Sequence, residues 1–477
     1  MGLLRRIVWD SLCFVEVIVS AVVHGCFGLN LFFSAMWIDA MSTFTSSSQQ
    51  SCARISPVIE AVESETEKQK MSSCNTNGHS LGNSGHYLEG YDKPPIVLVH
   101  GIFGFGEQKL GTISYWGGAE KRDDRILAPD LGALSSIHDR ACELFYYLKG
   151  GTVDYGVKRS QKYGHSRFGH TYKQGHYLDW DSKHPIHFVG HSTGAQVIRV
   201  LQNMLAEKAF LGYESTSADW VFSITSLSGV LNGTTRVYHD GIRPEDGRSM
   251  TSFSLLQFMR VFVLFYEWLD VPILKRYYDF GFDHYNLQWH KAGIMGLVDT
   301  LLNKSGPFAH ENWVLPDLSI QYALELNNQL RTFDTTFYFS YATKGTTTWF
   351  SRWTLPRSIL GTHPLLFIRA LQMCMWRHPQ RLPPPYEGYR DEDWQDNDGA
   401  LNTISQCYPR LPCEHRNCEL GTDSKEGDLQ PGIWYYTTLV ADHIYFIINR
   451  ERAGIHFDVL YDNIFQQCRK QIRPVLE

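Results

Sequence analysis

Residues 186 to 194 read Ile186-His187-Phe188-Val189-Gly190-His191-Ser192-Thr193-Gly194, followed by Val197, Val200, Leu201, Met204 and Leu205 at helical spacing. The opening apolar run is a buried-strand pattern, the spacing after Gly194 is that of a helix, and Gly-x-Ser-x-Gly joins them. Chemistry explains the glycines. A nucleophile presented at the tip of a sharp strand-to-helix turn needs small neighbours, and the helix N-terminus behind it favours developing negative charge. Gly and Ser are common enough for the bare pattern to arise by chance, so its specificity comes from the strand and helix on either side.

Working outward, an earlier run, Ile96-Val97-Leu98-Val99, is a second buried-strand candidate that ends in His100-Gly101-Ile102-Phe103-Gly104-Phe105-Gly106. From Pro94 onward, short β-branched runs alternate with helical patterns, which predicts an α/β architecture built on a mostly parallel sheet flanked by helices. The chain has 477 residues, 43% hydrophobic, 14% aromatic and 20% charged, which excludes a mainly disordered chain, a collagen and a coiled-coil rod. With 44 basic against 50 acidic side chains, a net charge of -6 and no long Lys/Arg run, nucleic acid is not an expected partner. Ten cysteines without a CxxC pair indicate neither a disulfide-built fold nor a zinc or thioredoxin-type site.

The N-terminus departs from this average. After Arg5 and Arg6 comes an apolar stretch, and its 21 residues from Val17 to Trp37 carry His24 as their only charged or imidazole side chain. That length spans a bilayer. Asp10, Glu16, Ser20 and His24 fall within an arc of about 120° at helical spacing, a polar stripe that also suits an interfacial helix. Three readings follow: an uncleaved membrane anchor, an interfacial helix, or a cleaved signal segment that sends the chain into the secretory pathway. Myristoylation is not expected, because Arg6 stands where that pattern wants Ser or Thr. Residues 42–93, rich in Ser, Gln, Glu, Asn and Gly, read as a flexible linker. The expected organisation is therefore 1–41 anchor or signal, 42–93 linker, and 94–477 folded domain.

A serine hydroxyl is a weak nucleophile unless a histidine accepts its proton and an acid orients that histidine. Both should lie downstream of Ser192 in this architecture. Asp398, in Asn397-Asp398-Gly399, sits in a turn that can aim a carboxylate, although an isolated Asp-Gly is more often a surface turn. His443, in Ala441-Asp442-His443 ahead of Ile444-Tyr445-Phe446-Ile447-Ile448, is the chosen base. Position alone does not single it out among twenty histidines.

Further stretches occur in a fixed order: Pro95 to Gly101, Asp139-Arg140-Ala141-Cys142-Glu143, Gly150-Gly151-Thr152-Val153-Asp154-Tyr155-Gly156, Gly164-His165 with Arg167-Phe168-Gly169, Gly233-Thr234-Thr235, and Asn397-Asp398-Gly399. In these the chain resembles the α/β-hydrolase lipases, and within them the plant-type relatives of the zinc-containing thermoalkalophilic bacterial lipases. The resemblance runs from about Pro94 to the C-terminal region. It implies an α/β-hydrolase fold with a lid and insertions, a Ser192–His443–Asp398 triad, and the backbone N–H groups of Ile102 and Thr193 as oxyanion hole.

The departures bear on cofactors. The family holds zinc with two Asp and two His, and the matching positions here are Asp139, Arg159, His165 and Asp283. A guanidinium cannot ligate zinc, so either Asp139, His165 and Asp283 bind it with help from His138 or His170, or Arg159 pairs with the carboxylates in a metal-free cluster. Calcium is not expected, because Tyr445 and Arg450 stand where the family would need acidic ligands.

Residues 253 to 268 are strongly aromatic, with Gln257, Arg260 and Glu267 on one helical side. They read either as a core helix or as a lid whose face, Phe258, Phe262, Phe265 and Trp268, closes over the site. Cys407, Cys413 and Cys418 fit no familiar zinc spacing and suggest a loop with at most one disulfide. Asn232 and Asn303 stand in glycosylation sequons. The expected function is a membrane-associated serine carboxylester hydrolase, a lipase acting on acylglycerols. The alternatives are an acyltransferase or thioesterase with the same triad, or a catalytically silent binding module at a membrane.

Overall fold

The computed structural model describes residues 93–107, 109, 113–252, 254–349, 353–357, 362–412, 415–420, 429–447 and 455–470. The expected N-terminal anchor and linker lie outside the described residues, Lys93 apart. No helix among the described residues is long and apolar enough to cross a membrane.

In chain order the elements that position the site are β1 Ile96–Val99, β2 Ile126–Leu127, α1 Ile137–Lys149, β3 Gly151–Asp154, α2 Val157–Tyr163, β4 Phe168–Tyr172, β5 Ile186–His191 and α3 Thr193–Ala206. They continue with β6 Val221–Leu227, α4 Leu255–Leu269, α5 Trp289–Leu301, β7 Phe337–Thr343, β8 Thr346–Trp349, β9 Trp353–Pro356, α6 Pro364–Cys374, β10 Asn417–Glu419, β11 Trp434–Leu439 and α7 Ile455–Lys470. Seven strands form one sheet in the order β10-β11-β7-β6-β5-β1-β2. Every neighbouring pair in it is parallel. β3–β4 and β8–β9 are separate antiparallel hairpins.

All residues of β1, β5 and β6 are buried. The absence of a polar face follows from covering both sides of a parallel sheet. Alternate side chains of β1 enter different cores. Val97 and Val99 join Leu144, Phe145 and Leu148 of α1 and Val197, Leu201 and Leu205 of α3. Ile96 and Leu98 join Phe457, Tyr461, Ile464 and Phe465 of α7 on the opposite face. Each such large side chain contributes about 1.5–3 kcal/mol on full burial, so the apolar stripe of α3 is reason enough for the helix to pack where it does.

From β1 the chain moves to β2 on one side, then returns to β5 on the other, and the later strands step away from it. The connections therefore diverge between the carboxyl ends of β1 and β5, and an open α/β sheet binds ligands in such a crevice. The loop at 100–106 and the turn at 191–194 both open there.

Candidate active site

Ser192 joins β5 to α3 with φ 56° and ψ -120°, a conformation that side-chain-bearing residues rarely adopt. Its N–H donates to Leu227 O at 3.0 Å, and its carbonyl accepts from Val230 N at 3.3 Å. The flanking glycines are required by close approach. A Cβ on Gly190 would lie 2.5 Å from Ala195 N, and one on Gly194 would lie 2.0 Å from Val99 O. The strained turn thus places Ser192 at the carboxyl end of β5, with the positive end of α3 beneath it.

The structure brings Asp398 and His443 together across 45 residues of sequence, with His443 Nδ1 donating to Asp398 Oδ2 at 2.9 Å. His443 N–H also donates to the Asp398 carbonyl at 3.0 Å. The carboxylate is fully engaged: Oδ1 accepts from Ala400 N (2.9 Å) and Leu401 N (2.7 Å), and Oδ2 from Thr343 Oγ1 (2.7 Å) and Gln406 Nε2 (3.0 Å). Burial pushes this carboxyl up, but His443, the Leu401 N–H and the Thr343 hydroxyl outweigh it and hold it below its ordinary range. The Asp398 carboxyl therefore stays ionised, and Nδ1 of His443 is committed to it. Among the described residues no hydrogen bond joins Ser192 Oγ to His443. His443 nevertheless lies beside the serine turn, its ring centroid 4.8 Å from that of His191.

Neither Ile102 N–H nor Thr193 N–H has a hydrogen-bond acceptor among the described residues. Behind them sits Arg140, wholly buried, whose Nη2 donates to His100 O at 2.5 Å and whose Nη1 donates to Thr193 Oγ1 at 2.9 Å. The Asp-Arg-Ala-Cys-Glu stretch thereby ties α1 to the loop after β1 and to the first residue of α3. Its Glu143 accepts from Gly132 N at 2.7 Å and from the Tyr155 hydroxyl at 3.2 Å. Burial pushes Glu143 up to about 8.

Asp139 lies in a second cluster beneath α1. Arg159 Nε donates to its Oδ1 at 2.8 Å and Asn312 Nδ2 to its Oδ2 at 2.8 Å. Burial pushes the Asp139 carboxyl up, yet Arg159, His138 and His284 together hold it well below its usual range. The donor atoms of Asp139, His165 and His284 lie within 4.8 Å of one another. Asp283, expected in this set, is instead exposed and accepts from Lys275 Nζ at 2.7 Å. The cause is the tight turn Asp283–Tyr285, in which adjacent side chains point about 120° apart, so that one step in sequence exchanges surface for cluster. The adjacent Asp-His pair was the only signal for this. His138 Nδ1 stands 3.4 Å from Asp139 Oδ1, whereas His170 is exposed on β4. His165 Nε2 and His284 Nε2 are buried without a hydrogen-bond partner and are the atoms a metal would use. Three donors are nonetheless one short of a closed zinc site, and the guanidinium stands against the carboxylate on that side, so the residues present do not fit a structural zinc.

Helix α4 is turned opposite to expectation. Phe258 and Phe262 are 70% and 62% exposed and Phe265 is exposed, while Arg260 and Glu267 are 7% and 0% exposed. Arg260 donates to the α5 carbonyls of Thr300 (3.0 Å) and Leu301 (2.9 Å), and Glu267 pairs with Lys275 at 2.8 Å. Each buried charge thus has a partner, and the aromatic face is left to solvent. Trp268 alone of the expected lid residues packs inward, its indole N–H donating to Gly293 O at 3.0 Å. Helix α5 adds exposed Trp289, Ile294 and Met295.

Of the remaining sequence features, Cys407 and Cys418 are unbridged. Cys413 and Arg450 lie outside the described residues. Asn232 is buried, its amide donating to Tyr408 O at 2.9 Å, a position no glycan can reach, and Asn303 is exposed.

Residues 92–215 match the family model described as "Lipase-like, C-terminal domain". A lipase of Staphylococcus hyicus is 30% identical over 395 residues, 78% of this chain and 56% of that protein. Lipase 1 of Staphylococcus aureus is 43% identical over 167 residues, 30% of this chain and 24% of that protein. The chain thus spans about half or less of the length of these curated relatives. Among solved structures, Staphylococcus hyicus lipase superposes with a TM-score of 0.64 at 26% identity, covering 81% of this chain and 98% of that one. EstA from Clostridium botulinum gives 0.60 at 25% identity, with 82% and 90% covered. Lipase 1 from Pelosinus fermentans gives 0.58 at 27%, with 80% and 100% covered. A parallel sheet carrying a strained Gly-x-Ser-x-Gly turn, together with these likenesses, makes the chain a homologue of the staphylococcal lipases with the α/β-hydrolase fold.

Proposed function

We propose that this chain is a serine carboxylester hydrolase, a lipase that takes acylglycerol esters from a lipid surface. The observation that carries the reading is the Asp398–His443 pair beside the strained turn that bears Ser192, with the His443 ring 4.8 Å from that of His191. His443 Nε2 removes the Ser192 proton as Oγ attacks the ester carbonyl, and Asp398 holds the ring with Nδ1 protonated and stabilises the imidazolium. The Ile102 and Thr193 N–H groups receive the oxyanion of the tetrahedral intermediate. His443 then protonates the leaving alcohol, and water repeats the sequence to release the acid and free Ser192.

The exposed aromatic face of α4 with its neighbour α5 supports a lipid surface as the source of substrate, since a long-chain ester is nearly insoluble and contiguous apolar surface of this kind marks an interaction site. The apolar stretch from Val17 to Trp37 supports the same membrane-associated reading. Arg159 supplies to the Asp139 cluster the positive charge that zinc carries in the resembling lipases, which makes the cluster a structural ion pair.

The test is hydrolysis of emulsified triacylglycerol by purified wild-type protein and by Ser192→Ala and His443→Ala, with labelling by an alkylphosphonate. Both variants should lose several powers of ten in turnover while keeping the wild-type melting temperature, and both should lose the label, Ser192→Ala by losing the acceptor atom and His443→Ala by losing the base that activates it. Wild-type protein that takes the label but transfers its acyl group to an added alcohol or thiol in preference to water would make the chain an acyltransferase. Full activity in folded Ser192→Ala would overturn the triad.

A further inference from the structure

Three segments must hold register for the proposed reaction: the loop after β1 that carries Ile102 N–H, the turn after β5 that carries Ser192, and the loop after β11 that carries His443. A single run of buried hydrogen bonds crosses all three. Gly101 N–H donates to the Tyr115 hydroxyl oxygen at 3.0 Å, the Tyr115 hydroxyl lies 2.7 Å from His191 Nδ1, and His191 Nε2 lies 3.1 Å from the His443 carbonyl oxygen. Tyr115 and His191 are 4% and 1% exposed.

The direction of each bond is determined by the groups at the ends. A carbonyl only accepts, so His191 Nε2 carries the proton and Nδ1 offers a lone pair. The Tyr115 O–H must then donate to Nδ1, which leaves its oxygen for the Gly101 N–H, a group that can only donate. No alternative tautomer satisfies all three links. Burial, aided by His443, lowers His191 to about 3, and burial raises the Tyr115 phenol, so neither group changes its proton count near neutral pH. The surroundings leave little play: Trp116 and His443 stand against the His191 ring at centroid distances of 6.5 and 4.8 Å, and a Cβ on Gly101 would lie 2.8 Å from Ser192 Cβ.

We propose that Tyr115 and His191 are positioning residues for ester hydrolysis: through one hydrogen-bonded relay they hold the oxyanion loop, the nucleophile turn and the backbone of His443 in mutual register. This rests on the serine-hydrolase reading of Ser192 and His443. His191 is the first of the two variable residues inside Gly-x-Ser-x-Gly, and Tyr115 belongs to a segment that no motif marks. Neither touches substrate.

The experiment compares kcat and KM on a soluble short-chain ester for wild-type, Tyr115→Phe, His191→Phe and His191→Gln, with the melting temperature of each. Tyr115→Phe removes one oxygen, leaving Gly101 N–H without an acceptor and His191 free to exchange tautomers. It should lower kcat by about tenfold to a hundredfold at nearly unchanged KM, the scale of a displacement near one ångström. His191→Phe keeps a ring but no donor and should do the same. His191→Gln carries an amide that reaches the place of Nε2, and it should recover most of the loss. A purely structural role gives a different result: falling melting temperatures, equal losses in His191→Gln and His191→Phe, or a rise in KM. Wild-type kcat in folded Tyr115→Phe and His191→Phe would overturn the proposal. Failure of the underlying reading looks different again, because then Ser192→Ala itself retains activity.

Discussion

The outward aromatic face of α4 can be tested through Phe258→Asp/Phe262→Asp. The two rings are one helical turn apart and 70% and 62% exposed, so most of their apolar surface already meets water and folding gains little from them. Full burial of a phenylalanine side chain is worth about 1.5–3 kcal/mol, and scaling by the exposed fractions leaves about 3 kcal/mol for the pair on transfer to lipid. That corresponds to a loss in partitioning on the order of a hundredfold, before any penalty for the new carboxylates. The assay is co-flotation with phosphatidylcholine vesicles, together with hydrolysis of a short-chain ester below and above its solubility limit. Wild-type turnover should rise sharply past that limit. The double variant should lose both the rise and the vesicle binding, while its turnover of dissolved ester and its melting temperature stay near wild type. Unchanged vesicle binding by the variant, or a smooth wild-type saturation curve through the limit, would refute a lipid-facing role and make the face a surface for something else.

Two further outcomes follow from buried charge. Wild-type protein should carry well under one zinc per chain and show no change of melting temperature with chelator, whereas Arg159→His, which exchanges the guanidinium for a fourth donor beside Asp139, His165 and His284, should take up zinc and become chelator-sensitive; stoichiometric zinc in the wild type, read by elemental analysis, would be the contrary result. Glu143, pushed up by burial from 4.5 to about 8, binds its proton more tightly folded than unfolded. Between those values the folded chain holds more protons, so its contribution to stability falls as pH rises, by at most about 1.4 kcal/mol per pH unit. The melting temperature of Glu143→Gln should therefore gain on that of wild type between pH 5 and pH 8, and a constant difference would mean that Glu143 is already ionised.

What the sequence by itself determined is what local chemistry controls. The strand, glycine turn and helix around Ser192 are adjacent in the chain, and the turn that Gly190 and Gly194 permit needs nothing distant to be foreseen. Even so, the reason both are glycine, the approach of Ala195 and of Val99 from β1, is a tertiary fact. Asp398 and His443 were legible as residue types in plausible settings, and the family resemblance supplied the choice among many histidines. Their bond at 2.9 Å belongs to the sheet, which lays the ends of β7 and β11 side by side. Where the structure departs from expectation, distant partners decided. The two-sided pattern of α4 was visible in Gln257, Arg260 and Glu267, but periodicity gives the angle between faces and not which face looks inward. The carbonyls at the end of α5 and the amine of Lys275 reversed the usual choice by satisfying the buried charges. Asp283 and His284 exchanged places for a similar reason: a tight turn points neighbouring residues to different sides, and only the packed cluster around Asp139 selects one. The relay from Gly101 through Tyr115 and His191 to His443 left no trace in the sequence, since its links span 14, 76 and 252 residues and exist only once the crevice between β1 and β5 has formed.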